Sequence, residues 1–185
     1  VTIRSTAPLR LIVVSGLPGT GKSTLAGAIG AALTGPVLSV DPIEGAIAAA
    51  GIPRSFETGL AAYLVAEELA DAFLAAGLTV VIDAVSGVEP ARKLWRDLAA
   101  RRGAALRVIV CEALDRDLIA ARLTGRQRDT RLVEPTATEL AARRAEWADW
   151  PEPHLRLDTG LPAQALLAKA LAWLSSGSGV QNSLT

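Results

Sequence analysis

The chain has 185 residues, half of them apolar, with 19 basic and 19 acidic side chains and one cysteine. That length suits a single domain with a sizeable core. Balanced charge argues against a general binder of nucleic acid or anionic lipid, a lone cysteine rules out an intrachain disulfide, and no leader-like or membrane-spanning apolar run is visible, so a cytoplasmic protein is expected. Val1 to Pro8 reads as a loose lead-in. Leu11 to Ser15, mostly β-branched and apolar, reads as a buried strand. It runs into Gly16-Leu17-Pro18-Gly19-Thr20-Gly21-Lys22-Ser23, which fits G-x-x-x-x-G-K-[ST] at every fixed position. Glycines let backbone N–H groups turn inward around an anion, and the helix that follows adds its positive end. Lys22 can reach the β- and γ-phosphates, and the Ser23 hydroxyl can hold Mg²⁺. Leu25, Ala26, Ile29 and Leu33 recur at helical spacing behind the loop, so a helix is expected from about Lys22 to Leu33, with Thr24 in its first turn.

Val37 to Val40 is a second short strand, ending at Asp41. Pro42 suits the first turn of a helix over Ile43 to Ala50. Gly51 to Phe56 is a loop, whose Arg54 joins the expected acceptor-binding set. A long helix is expected from Glu57 to Ala76, with Tyr63, Val65, Ala66, Leu69, Ala70, Phe73 and Leu74 on one face. Leu78 to Ile82 is a third strand, closing in Asp83. A helix over Pro90 to Arg102 and a strand over Leu106 to Cys111 follow. Asp115 to Leu123 reads as a helix, and Thr124 to Pro135 as an arginine-rich segment. Thr136-Ala137-Thr138-Glu139 resembles a capping box for a helix to Trp147. His154 to Leu157 is a last strand and Gln164 to Leu174 a last helix. Ser175 to Thr185 has a disordered composition.

Alternating strands and helices imply an α/β fold with a parallel sheet and right-handed crossovers. Ligands in such sheets bind beyond the carboxyl ends of the strands, where the phosphate loop, Asp41 and Asp83 all stand. Asp41 there can orient an acceptor hydroxyl and take its proton, or cap the helix that follows, or do both. Asp83 can hold the magnesium shell, bind the acceptor, or cap the turn before Ser86-Gly87. Glu44, one helical turn past Asp41, binds an acceptor amine or hydroxyl, or is simply solvated. Arg122, Arg126 and Arg128 form R-x-x-x-R-x-R, suited to a lid that stabilises a transferred phosphoryl group, or to an exposed, solvated helix. Leu60 and Leu64 interrupt the polar face of the long helix. They line an acceptor pocket or pack against a neighbouring helix or second subunit. Cys111, Trp147 and Trp150 read as packing residues, and His154 is given no catalytic role.

With these residues in place the chain resembles small P-loop kinases, the group containing polynucleotide kinase, gluconate kinase, adenylylsulfate kinase, chloramphenicol phosphotransferase and the zeta toxins. The likeness runs from about Leu11 to Leu157. It implies a three-layer α/β/α P-loop fold with a five-stranded parallel sheet in the order 2-3-1-4-5 and a helical lid over roughly 122–135, within one domain spanning 1–174. It also implies ATP and Mg²⁺ as cofactors, Asp41 as the hydroxyl-activating base, and Arg122 and Arg126 on the ATP phosphates. One departure is visible. Several relatives carry an arginine one turn after that aspartate, where Asp41-Pro42-Ile43-Glu44 places an acid. This argues against nucleic-acid ends as acceptor and favours a neutral or cationic small molecule, a metabolite or antibiotic. The competing readings are a nucleotide-driven regulator without an acceptor and a nucleic-acid 5′-end kinase, the latter poorly matched by the charge balance. Oligomeric state and the choice between ATP and GTP stay open.

Overall fold

A computed structural model of the chain describes residues 8–113, 115, 119, 121–122, 137–147 and 149–176. Strand β1 (Arg10–Ser15) is the centre of the molecule. Its Leu11, Ile12, Val13 and Val14 are fully buried. Side chains alternate across a strand, so the same run feeds two cores. Leu11 and Val13 face Ala62, Ala66, Trp95 and Leu98 on one side. Ile12 and Val14 face Leu25, Ile29, Leu166 and Trp173 on the other. Fully burying each such aliphatic side chain contributes about 1.5–3 kcal/mol, which is why an unbroken apolar run takes the centre.

The sheet has five strands in the order β2-β3-β1-β4-β5, every pair parallel, as the resemblance implied. The other strands are β2 (Val37–Ser39), β3 (Val80–Asp83), β4 (Ala105–Glu112) and β5 (His154–Asp158). The helices are α1 (Lys22–Leu33), α2 (Val40–Ala49), α3 (Phe56–Ala75), α4 (Glu89–Arg102), α5 (Ala137–Ala145) and α6 (Ala163–Ser175). Helices α1 and α6 cover one face, and α3 and α4 the other. Among the described residues no helix is long and apolar enough to cross a membrane.

Several boundaries differ from the sequence expectation for local reasons. Helix α2 begins at Val40, before Asp41, and Ser39 is its N-cap. The long helix starts at Phe56 because Ser55 and Thr58 form a capping box, Ser55 Oγ accepting from Thr58 N and Thr58 Oγ1 from Ser55 N. The buried stripe of α3 is Thr58, Ala62, Ala66, Ala70 and Leu74, narrower than expected, and Val65 and Leu69 stand exposed. Small residues at four-residue spacing let α3 lie close to the sheet, which leaves no room to tuck in the flanking aliphatics. Leu78 is exposed and β3 begins at Val80. Ser175 closes α6 rather than opening a tail. Of the expected helix over 115–123, Ile119, Ala121 and Arg122 are helical. The whole arginine-rich segment from Thr124 to Pro135, with Arg126 and Arg128, the lead-in over positions 1–7, and positions 177–185 lie outside the described residues.

Candidate active site

The loop from Gly16 to Ser23 joins the end of β1 to the start of α1. Its shape depends on three glycines with positive φ, Gly16 (151°), Gly19 (86°) and Gly21 (79°). A Cβ on Gly16 would lie 2.5 Å from the Cys111 carbonyl oxygen and 2.7 Å from Thr20 Oγ1, so no other residue fits there. Thr20 folds the loop on itself, its N–H and hydroxyl both donating to Leu17 O at 3.2 and 2.8 Å. Gly21 is the N-cap of α1. Lys22 follows as the first helical residue, and its side chain is 1% exposed. Its Nζ has no hydrogen-bond partner and lies 3.6 Å from Asp41 Oδ2. A buried ammonium without acceptors is costly. Phosphate oxygens are the acceptors such a site suits. Ser23 and Thr24 are exposed on the first turn of α1.

Asp41 sits in the first turn of α2, where the helix dipole favours a carboxylate. The helix begins earlier than expected, so the capping role open to Asp41 falls to the Ser39 position. The parallel sheet sets the end of β2 on the same side as the phosphate loop, and the ion pair with Lys22 joins the two. Asp83 lies in register with Val14 on one side and Ser39 on the other. It is 4% exposed, its Oδ2 accepts from Ser39 Oγ at 2.9 Å, and its Oδ1 is buried without a hydrogen-bond partner. Two orphaned buried groups of opposite charge, Lys22 Nζ and Asp83 Oδ1, thus stand near a glycine cradle. That donor set fits a magnesium–triphosphate pair. Among the described residues no group of three or more His, Cys, Asp and Glu gathers.

The other predicted residues separate into those the structure brings to this point and those it does not. Glu44 and Arg54 pair with each other, Arg54 Nε donating to Glu44 Oε1 at 3.1 Å. The acid that marked this chain apart therefore carries its own counter-charge. Leu60 and Leu64 are exposed on α3, with Phe56 a turn earlier at 82% exposure. Tyr63 between them turns inward, and its hydroxyl accepts from Ser86 N at 3.0 Å. Arg122 lies beside Gly21 but points to β5, donating to Thr159 Oγ1 at 2.9 Å and Thr159 O at 2.7 Å. It lines a cavity of about 350 Å³ with Gly21, Thr24, Thr159 and Leu161. A second cavity of about 360 Å³ opens on the other side of the loop, between Leu17, Thr20, Glu112, Arg144 and Trp147. Thr159 and Arg144 were missed in the sequence, since a lone threonine after a strand and an arginine late in a helix carry no pattern. Cys111 is buried, and burial pushes its thiol up to about 12, so it is an inert packing residue as expected.

Comparison with known proteins bears on the family and the fold. Residues 11–148 match the AAA domain family, and the chain belongs to it. Its fold is that of small P-loop kinases, a nucleotide-binding class. Similar solved structures include a putative kinase from Chloroflexus aurantiacus (22% identity, 94% of this chain and 100% of that one, TM-score 0.72). An unliganded sugar kinase from Janibacter sp. (23%, 90% and 95%, 0.68) and a gluconokinase from Sinorhizobium meliloti (20%, 90% and 91%, 0.68) are also similar. These likenesses carry the fold. Among curated sequences, the uncharacterized protein Rv2004c of Mycobacterium tuberculosis is 32% identical over 175 residues, 89% of this chain and 34% of that protein. Mb2027c of Mycobacterium bovis, also uncharacterized, matches to the same extent. The chain spans about a third of the length of both relatives.

Proposed function

We propose that the chain transfers the γ-phosphoryl group of ATP to a hydroxyl of a small-molecule acceptor. The observation that carries this reading is the 3.6 Å approach of Lys22 Nζ to Asp41 Oδ2, which puts a phosphate-binding ammonium and a strand-end carboxylate at one point. The loop amides and Lys22 hold the triphosphate, and Ser23 with Asp83 hold Mg²⁺, which when bound neutralises charge on the β- and γ-oxygens. Asp41 orients the acceptor hydroxyl and accepts its proton at a carboxylate oxygen. The nucleoside fits the cavity beside Gly21, with Arg122 and Thr159 at its wall and Leu161 as apolar lining. Arg144, beside Leu17 and Thr20, together with Arg126 and Arg128 of the arginine-rich segment, supplies positive charge for the transferred group. Glu44 and Arg54 cancel, so the acceptor is a hydroxylated molecule without phosphate, and neither a cation nor an anion is demanded.

The test is incubation with ATP, Mg²⁺ and a pool of hydroxylated metabolites and antibiotics, scored by mass spectrometry. Gain of one phosphoryl group on an uncharged or zwitterionic acceptor is the expected result. Phosphorylation of anionic acceptors alone, or hydrolysis of ATP with every acceptor untouched, overturns the reading.

A further inference from the structure

Arg92 is a positively charged side chain with no part in the chemistry above, and it is 1% exposed. It sits in the first turns of α4, nine residues beyond Asp83. Its Nε donates to Ser86 O at 2.9 Å and its Nη2 to Gly87 O at 3.1 Å. Its Nη1 crosses to Asp149 O at 2.7 Å. The guanidinium lies 5.7 Å from the ring centre of Trp147 and 5.0 Å from that of Trp150. One planar fork thus grips two segments far apart in sequence: the loop that follows Asp83, and the limb that follows α5.

The rest of that loop is pinned just as closely. Val85 O accepts from Ser15 Oγ at 2.6 Å, and Ser86 Oγ accepts from Trp95 Nε1 at 3.0 Å. Ser86 N donates to Tyr63 Oη at 3.0 Å. Ser86 itself holds φ at 46°, a conformation that persists only where the surroundings over-determine it. A side chain needed only to fill space would be apolar here, because a buried guanidinium is expensive. Donors aimed at backbone carbonyls of two segments fix positions instead.

Resting on the phosphotransfer reading above, we infer that Arg92 is a positioning residue, which locks the Asp83–Gly87 loop to the 147–150 limb so that the buried carboxylate and the Trp147 wall of the site are held as one body.

Arg92→Lys keeps the charge and loses the planar fork. The expected result is a fall in kcat of about 10–100-fold, the scale on which outer-shell partners act. Affinity for Mg–AMP-PNP by calorimetry falls by less than kcat does, since the phosphate loop is untouched and only the Asp83 end of the proposed magnesium site is loosened. Hydrogen exchange rises together at 84–87 and at 149–150. Arg107→Lys is the matched control. Arg107 lies 5.4 Å from the ring centre of Trp173 and donates to Ser176 O at 3.1 Å, away from the loop. It lowers the melting temperature and leaves kcat alone. Wild-type kcat in Arg92→Lys, or exchange rising in one segment only, overturns the inference. If the wild-type protein binds nucleotide but phosphorylates nothing, the phosphotransfer reading falls by itself, and the exchange measurement still decides whether Arg92 ties the two segments.

Discussion

Replacing Asp41 with asparagine separates its observed role as counter-charge to Lys22 from its proposed role as base. The Asp41 carboxylate stands 3.6 Å from an ammonium that is buried and has no hydrogen-bond partner. At that distance the attraction is about 4.6 kcal/mol for an effective dielectric of about 20, and about 1.2 kcal/mol if solvent screens it as bulk water does. The Asp41 side chain is 28% exposed, so the effective value lies between these limits. Asp41→Asn therefore lowers the melting temperature of the free protein by at least about 2–4 °C, the shift expected for roughly 1 kcal/mol in a chain of this size. Lys22 no longer has to leave a carboxylate to meet phosphate, so Mg–ATP binds at least as tightly as to wild type, and nucleotide restores the lost stability. Turnover falls about 10²–10⁴-fold through loss of the base. Thermal unfolding with and without nucleotide, calorimetry and steady-state rates give the three readings. Weakened nucleotide binding with unchanged melting, or ordinary turnover, refutes the pairing of roles.

Lys22→Ala is expected all but to abolish both nucleotide binding and turnover, read by calorimetry and product formation, because its buried ammonium is the group proposed to hold the phosphates. Arg122→Ala removes two hydrogen bonds to Thr159 and opens the neighbouring cavity, so the KM for ATP rises by about 10-fold or more while kcat moves less; each such charge-assisted bond is worth about 1.5–3 kcal/mol. Cys111 makes stability fall at alkaline pH. Its folded pKa is raised to about 12, above the unfolded value near 8.5, so its contribution is complete below that lower value and is lost as pH rises between the two, by about 1.4 kcal/mol per pH unit. Cys111→Ala flattens this slope in denaturant titrations between pH 9 and 11.

The centre of the fold was legible because its signals are local. An apolar run, a fixed glycine spacing and a helical repeat are contiguous in β1, the phosphate loop and α1, so Gly16 to Thr24 could be placed without tertiary knowledge. The placing of Asp41 just past β2 and of Asp83 at the end of β3 followed from the rule that parallel sheets present ligands at their carboxyl ends. What escaped depends on pairing across the fold. Arg54 finds Glu44 over a loop, and Arg122 finds Thr159 in the turn after β5. Arg92 finds carbonyls on two segments, and no spacing announces any of these. Asp41 was placed at the right strand end but in the wrong turn, because Ser39 takes the N-cap without a side-chain bond and so leaves little trace in sequence. Val65 and Leu69 looked like core and are not, since helical periodicity fixes a direction but not the width of the covered stripe.

The reciprocal hydroxyl bonds at Ser55 and Thr58 let α3 start itself. Its first turn does not lean on the stretch from Gly51 to Arg54 just ahead, whose residues are all exposed. That stretch borders Glu44 and can be rewritten without unravelling the helix behind it. Evolution, or a library built at those few positions, thus has a tolerant place to retune what is recognised while the catalytic frame stays untouched.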